Sequence, residues 1–295
     1  MSFSGDVKEE LVKLESSARH CQIAELAAIV LYSNAIKYSD KGKVHLEIQS
    51  ETLHLENKSS ELISKILGIN KTEAFGLNKD KNKLLKLLET IKYAKGDFVV
   101  NPVVLKNMCC KRAFLRGVFL GNGSMSNPEK GYHLEFVCEN QIQAEQLIDT
   151  LAVFDIEAKM VQRKKYQIVY IKESEGIVEL LNVIGAHVSL MKLENLRILK
   201  DMRNSINRRV NCEAANITKT VNAATKQIED IKYIKEHYGF DNLSDNLREI
   251  AQIRLEYPDA TLKELGQYLV PAVGKSGVNH RLRKLCELAE ELRAD

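Results

Sequence analysis

The 295-residue sequence predicts an α+β chain with a mixed N-terminal region, a helical connector and an all-helical C-terminal segment. Three observations predict it. Alternation of apolar and polar residues at period two, the signature of half-buried strands, stays within the first 190 or so residues. A similar order of helix and strand patterns returns about 90 residues further on, which reads as an internal duplication. Beyond it, only helical spacing remains, broken by turn signals at Tyr257-Pro258-Asp259 and Val270-Pro271-Ala272-Val273-Gly274.

The elements follow in order. Residues 20–36 (HCQIAELAAIVLYSNAI) are apolar, Ala-rich and long enough to favour a buried helix. Val44, Leu46 and Ile48 then alternate with polar residues, as do Leu53 and Leu55, so a β-hairpin with its turn near Ser50 is expected. Residues 59–69 and 84–93 are amphipathic helices. The second round has an apolar helix at 109–120, a strand at 132–138, a helix at 142–154, a strand pair at 157–163 and 166–172, and a helix at 176–184. Residues 190–239 lack proline and have helical spacing, so they read as a helix or helix pair rather than a floppy linker. Arg203, Arg208, Arg209, Lys219 and Lys226 outnumber the acids between 201 and 227.

Composition bounds the function. Hydrophobic residues make up 44% and charged residues 28%, which suits a globular chain of about two domains. The formal charge of +3 neither demands nor forbids nucleic acid, so the local distribution of charge must decide. The start MSFSGDVKEELVKLE has no apolar core of signal-peptide length, and no stretch reaches the roughly 18 apolar residues of a bilayer span. A cytoplasmic protein without a membrane partner is expected. The six cysteines (Cys21, Cys109, Cys110, Cys138, Cys212 and Cys286) form no C-x-x-C pair. They predict reduced thiols, with no disulfide framework, metal or cofactor.

The last segment carries the most chemistry. Residues 243–257 form a first helix with Leu243, Leu247, Ile250 and Tyr257 on its apolar stripe. Thr261 and Glu264 make a capping box for a second. Ser276 then reads as the cap of a third. There Val278, Leu282, Leu285, Ala289 and Leu292 fall within about 40° of one line at 100° per residue. The opposite arc holds Ser276, Asn279, His280, Arg283 and Lys284, with Lys275 and Arg281 beside it, and no acid precedes Glu287. Two helices, a turn and a helix with a basic N-terminal half make a helix-turn-helix. Arg can bond guanine bidentately, Asn can pair with an adenine edge, and Lys275, Ser276 and the helix N-terminus can hold phosphate. The alternative is an ordinary charged solvent face. Gly274-Lys275-Ser276 is not the end of a phosphate-binding loop, because Leu269 stands where that motif needs glycine and a helix precedes it.

Phe114–Ser124 (FLRGVFLGNGS) resembles the LAGLIDADG helix of homing endonucleases, and Leu26–Asn34 (LAAIVLYSN) resembles a weaker second copy. The small residues Ala27, Ala28, Gly117 and Gly121 permit close helix contact. The resemblance implies a duplicated LAGLIDADG-like αββαββα domain. In the nucleases of that family an acidic residue before the final Gly holds a divalent metal. Here those positions are Ser33 and Asn122, neither of which supplies the charge that a hard cation needs. The other acidic position of the motif is Leu31 in one copy and Leu120 in the other.

Taken whole, the chain resembles the WhiA family of bacterial regulators. The most specific stretches are Lys111–Gly117 with Gly123-Ser124, Asn207–Thr220, Thr261–Gly266 and Gly274–Arg283. The resemblance implies a degenerate LAGLIDADG-like domain (1–195), a connector (196–239) and a helix-turn-helix domain (240–295). It also implies a non-enzymatic, sequence-directed regulator bound to double-stranded DNA at the nucleoid, acting in sporulation, cell division or chromosome segregation. No small-molecule substrate is expected. The predicted contacts are Thr261, Lys275, Ser276, Asn279, His280, Arg281, Arg283 and Lys284, with Arg208 and Arg209 in the connector. Two other readings stand beside it. One is an active nuclease, opposed by the missing carboxylates. The other is an interaction module with weak DNA affinity that recruits RNA polymerase or a second regulator.

Overall fold

The computed structural model describes residues 2–39, 43–48 and 53–294. These divide into two compact units, residues 1–200 and 201–295.

The first unit opens with α1 (Phe3–Val12), capped by the Ser2 hydroxyl. The apolar helix α2 (Arg19–Tyr32) follows. It ends earlier than its apolar run, because Asn34 takes a positive φ of 50° and Ile36 already belongs to strand β1 (Ile36–Tyr38). Strand β1 pairs antiparallel with β2 (Val44–Leu46). The hairpin expected between 44–48 and 53–55 is therefore corrected, although its expected turn near Ser50 lies outside the described residues. Leu53 starts helix α3 (Leu53–Leu67) instead, where Leu55, Leu62 and Ile66 are buried at helical spacing. The two-residue alternation around Leu55 was the beginning of a 3.6-residue pattern. Helices α4 (Lys71–Phe75) and α5 (Lys81–Thr90) complete the first half.

The second half runs α6 (Met108–Asn122), β3 (Gly123–Met125), β4 (Leu134–Cys138), α7 (Gln141–Ala152), β5 (Lys159–Arg163), β6 (Tyr166–Ile171) and α8 (Ser174–Ile184). This is the αββαββα order, and its strands form one antiparallel sheet ordered β3-β4-β6-β5. The first half departs from that order after α3, with no second strand pair among its described residues.

The core of this unit is built around the α2–α6 contact, the most extensive helix pairing in the chain. Gly117 sets how closely the helices approach. A Cβ there would lie 2.4 Å from the Glu25 carbonyl oxygen and 2.8 Å from the Ala28 Cβ. Gly121 is at ordinary van der Waals distance from Ser33. Against this seam sit Tyr32 and Phe114, edge to face at 5.4 Å, and Phe119 and Phe136, likewise at 6.1 Å.

Residues 187–237 form one helix, α9 (His187–His237), rather than a pair. The second unit adds α10 (Asp245–Glu256), α11 (Leu262–Tyr268) and α12 (Lys275–Ala294). Its core joins Ile250 and Ala251 of α10, Leu265 of α11, and Val278, Leu282, Leu285 and Ala289 of α12 to Ile231 and Ile234 of α9. The last turns of α9 therefore belong to the C-terminal core. Leu243 is buried ahead of α10, whereas Tyr257 is exposed and stacks on Tyr268 at 4.5 Å.

Candidate nucleic-acid interface

The C-terminal helices hold α12 by one side and one end. The stripe Val278, Leu282, Leu285 and Ala289 is fully buried, as its spacing predicts. The distal half is fixed by α9. Asp230, buried there, accepts a hydrogen bond from Arg293 at 2.7 Å, and the same guanidinium lies over the Tyr233 ring. Lys226 pairs with Glu290 at 2.7 Å, so this member of the basic connector set is already engaged.

The proximal half is left open. Lys275, Ser276, Asn279, His280, Arg283 and Lys284 are all exposed. Among the described residues, Lys275, Ser276, Asn279, His280 and Lys284 have no side-chain hydrogen bond or ion pair. Arg283 donates to Glu287 at 2.8 Å, but both side chains are more than half exposed. Such a pair contributes little and can exchange for another anion.

Two predicted contacts, Ser276 and Arg281, sit differently from the expectation, and Thr261 forms the capping box that its spacing predicts. Ser276 is not the helix cap, because α12 starts at Lys275 and places Ser276 in its first turn. Thr261 is the N-cap of α11. Its hydroxyl accepts from the Glu264 amide, and the Glu264 carboxylate accepts from the Thr261 amide at 2.7 Å. That backbone hydrogen bond holds the Glu264 carboxyl below its usual range. Arg281 is only 21% exposed and turns toward Glu249 of α10, 3.9 Å away. Its geometry suits bracing α10 against α12 better than reaching outward.

The turn between α11 and α12 is set by Gly266. A Cβ there would lie 2.1 Å from the Val273 carbonyl oxygen, and the Val273 amide donates to the Gly266 carbonyl at 2.9 Å. The Glu249 carboxylate accepts from the Val270 amide at 3.0 Å. The longer turn is thus tied to both preceding helices. On α9, Arg203, Arg208, Arg209 and Lys219 are exposed.

Two groupings escaped the sequence reading. Every residue of β5 is exposed, and Lys159, Arg163, Lys164 and Lys165 lie near Tyr166 and Tyr170 of β6. Lys165 sits 5.1 Å from the Tyr166 ring centroid, and Lys172 sits 5.2 Å from that of Tyr170. Cations among aromatics on an open strand suit a polyanion. The run RKKY was the available signal. The other grouping joins His20 and Cys21 to Cys109 and Cys110, residues too far apart in sequence for spacing to reveal.

The positions that carry the nuclease carboxylates lie at the far ends of α2 and α6. The Ser33 hydroxyl donates to the Ile29 carbonyl at 2.6 Å. The Asn122 amide donates to the Val137 carbonyl at 2.8 Å and also to the carbonyl of Tyr32. Both side chains are donors closing backbone, the opposite of a cation-binding pair.

Comparison with known proteins places both regions. The family model described as "WhiA C-terminal HTH domain" matches residues 206–289, and the "WhiA LAGLIDADG-like domain" matches residues 111–203. The chain is 49% identical to the "Probable cell division protein WhiA" of Lachnoclostridium phytofermentans, over 99% of this chain and 100% of the relative. It is 43% identical to the protein of the same description from Thermoanaerobacter sp. (strain X514), over 99% and 98%. Among solved structures, full-length DUF199/WhiA from Thermatoga maritima is similar at a TM-score of 0.52 and 25% identity, covering 99% of each chain.

Proposed function

The chain belongs to the WhiA family, and from that premise we propose that it is a non-enzymatic, sequence-directed DNA-binding regulator acting in cell division. The observation that carries the reading is the proximal half of α12, where six polar side chains stand exposed with no acid before Glu287. In this reading residues 240–295 enter the major groove, 196–239 connect, and 1–195 form the scaffold. Arg283 reads guanine and Asn279 an adenine edge. Lys275, Ser276, Lys284 and the start of α12 hold phosphates, with His280 beside them. Thr261 and Arg281 position the reading helix. Arg208 and Arg209 contact the DNA backbone. The protein works in the cytoplasm, at the nucleoid, and the relatives' printed role suggests control of genes for division or chromosome segregation, with sporulation as the family alternative. Asn122 and Ser33 in place of carboxylates support a scaffold without nuclease chemistry.

Chromatin immunoprecipitation with sequencing tests it, comparing the wild type with an Asn279→Ala/Arg283→Ala chain expressed at the same level. Promoter peaks that vanish in the variant support the reading. An unchanged peak set rejects α12 as the reader.

A second reading, recruitment of a protein such as RNA polymerase, is favoured by exposed apolar side chains along α9. Ile198, Met202, Ile206, Val210, Ile217 and Val221 are each more than half exposed. Co-elution with purified polymerase, lost in Met202→Glu/Ile206→Glu, would support it. Absence of a complex would reject polymerase as the partner of this face.

A further inference from the structure

Four metal-ligating side chains meet where the two central helices begin. His20 and Cys21 are the second and third residues of α2, and Cys109 and Cys110 hold the same two places in α6. The pairing of the helices brings the two dipeptides together across 87 residues of intervening sequence. His20 Nδ1 lies 3.2 Å from the Cys110 sulfur, 3.3 Å from that of Cys21 and 3.9 Å from that of Cys109. The four ligand atoms all lie within 4.8 Å of one another.

The three nitrogen–sulfur distances bracket the edge of a metal tetrahedron. With Zn–S of about 2.3 Å and Zn–N of about 2.0 Å, nitrogen and sulfur sit about 3.5 Å apart and two sulfurs about 3.8 Å apart. We propose that His20, Cys21, Cys109 and Cys110 form a Cys3His zinc site that staples α2 to α6. Thiolate and imidazole ligands select zinc over magnesium, calcium or manganese. Four protein ligands close the coordination sphere, which is the pattern of a structural rather than a catalytic ion. Three thiolates, one neutral imidazole and Zn²⁺ carry a net charge of −1, set beside two helix N-termini whose dipoles favour negative charge. Loading the site sends the thiol protons to solvent. Cys21 and Cys110 are buried at 7% and 2% exposure, while His20 and Cys109 are exposed. The cation therefore has an entry path from one side and a protein wall on the other.

The site lies at the opposite ends of α2 and α6 from Ser33 and Asn122, and its soft ligands bear no relation to a hard-cation nuclease centre. The proposal is independent of DNA binding.

The test uses the purified full chain, reduced, stripped with a chelator and titrated with zinc chloride or cobalt chloride. One equivalent should bind. The cobalt form should show thiolate-to-metal charge transfer and tetrahedral d–d bands, both abolished by zinc. Cys109→Ser changes an exposed side chain, so folding is preserved even if Cys110→Ser fails to fold. It should weaken zinc binding by more than the roughly 100-fold that losing an outer partner of a ligand costs. Cys212→Ser, on exposed α9, should bind as the wild type does. Chelator should lower the melting temperature of the wild type and leave Cys109→Ser unmoved. Failure of cobalt to give a tetrahedral spectrum overturns the site, as does wild-type affinity in Cys109→Ser. So does a disulfide among these cysteines whose reduction yields no metal binding.

Discussion

The α2–α6 seam and the proximal half of α12 both carry arginine, asparagine and serine, yet they use them in opposite ways. In the seam, Arg116 donates to Glu25 at 3.0 Å, to the Ser16 hydroxyl at 2.7 Å and to the Ile184 carbonyl at 3.2 Å. Lys58 approaches the other Glu25 oxygen at 3.8 Å and donates to the Leu14 carbonyl. Burial holds the Lys58 ammonium below its usual pKa, partly offset by Glu25. Each of these side chains has a partner within the seam, although Glu25 Oε1 and Arg116 Nε lie buried without a hydrogen bond of their own. On α12, Asn279, Ser276 and Lys275 have no side-chain hydrogen bond or ion pair among the described residues. The difference teaches that residue type alone does not mark a binding site. What marks it is a cluster of exposed polar side chains whose hydrogen-bonding capacity the fold leaves unused.

The sharpest way to break this contrast is Arg116→Met. It leaves the fully buried Glu25 with only Lys58 for charge balance, and should cost about 3–5 kcal/mol in thermal or urea unfolding. A loss below about 1 kcal/mol would mean the seam's polar groups are as replaceable as surface ones. Gly266→Ala comes next. Its Cβ would meet the Val273 carbonyl, and overpacking of this kind costs about 1–3 kcal/mol. Its damage should extend to DNA affinity, because the same turn aims α12. A variant equal to wild type in both would detach the turn from the reader. Arg283→Ala should leave stability within about 0.5 kcal/mol, as an exposed position does. It should also remove roughly 1–3 kcal/mol of discrimination between cognate and mismatched DNA in competition gel shifts. The smallest effect is expected from Arg208→Ala. It should weaken binding to all sequences alike and reduce the salt slope by about 1. A changed consensus would make Arg208 a base reader.

The α12 face was legible in the sequence because one regular helix announces both its stripes. Val278, Leu282, Leu285 and Ala289 fixed the buried side, and the open side followed by subtraction. The Thr261–Glu264 capping box was legible for the same reason, since all its atoms lie within one turn. The hairpin was misplaced because Leu53 and Leu55 fit two periods at once, and only the tertiary burial of Leu62 and Ile66 selects the helix. The seam network was invisible. Glu25, Lys58 and Arg116 come from three helices, and nothing local distinguishes them from solvated charges. The approach of Glu249 to Arg281 was hidden for a related reason, because it comes from another helix. The His20, Cys21, Cys109 and Cys110 grouping failed the usual cysteine arithmetic, which searches one segment at a time.

Asn122 has a consequence for how the chain can change over generations. A single base substitution converts its codon to one for aspartate, so the mutation is always within reach. The fold answers it badly. The amide that now donates to the Tyr32 and Val137 carbonyls would become a carboxylate oxygen facing two other oxygens, with no proton to share between them. Restoring an acidic residue there would first require the backbone of α2 and β4 to find other donors. The two chemistries are neighbours in the genetic code and far apart in the folded protein, and a population exploring one mutation at a time is held on the side of the amide.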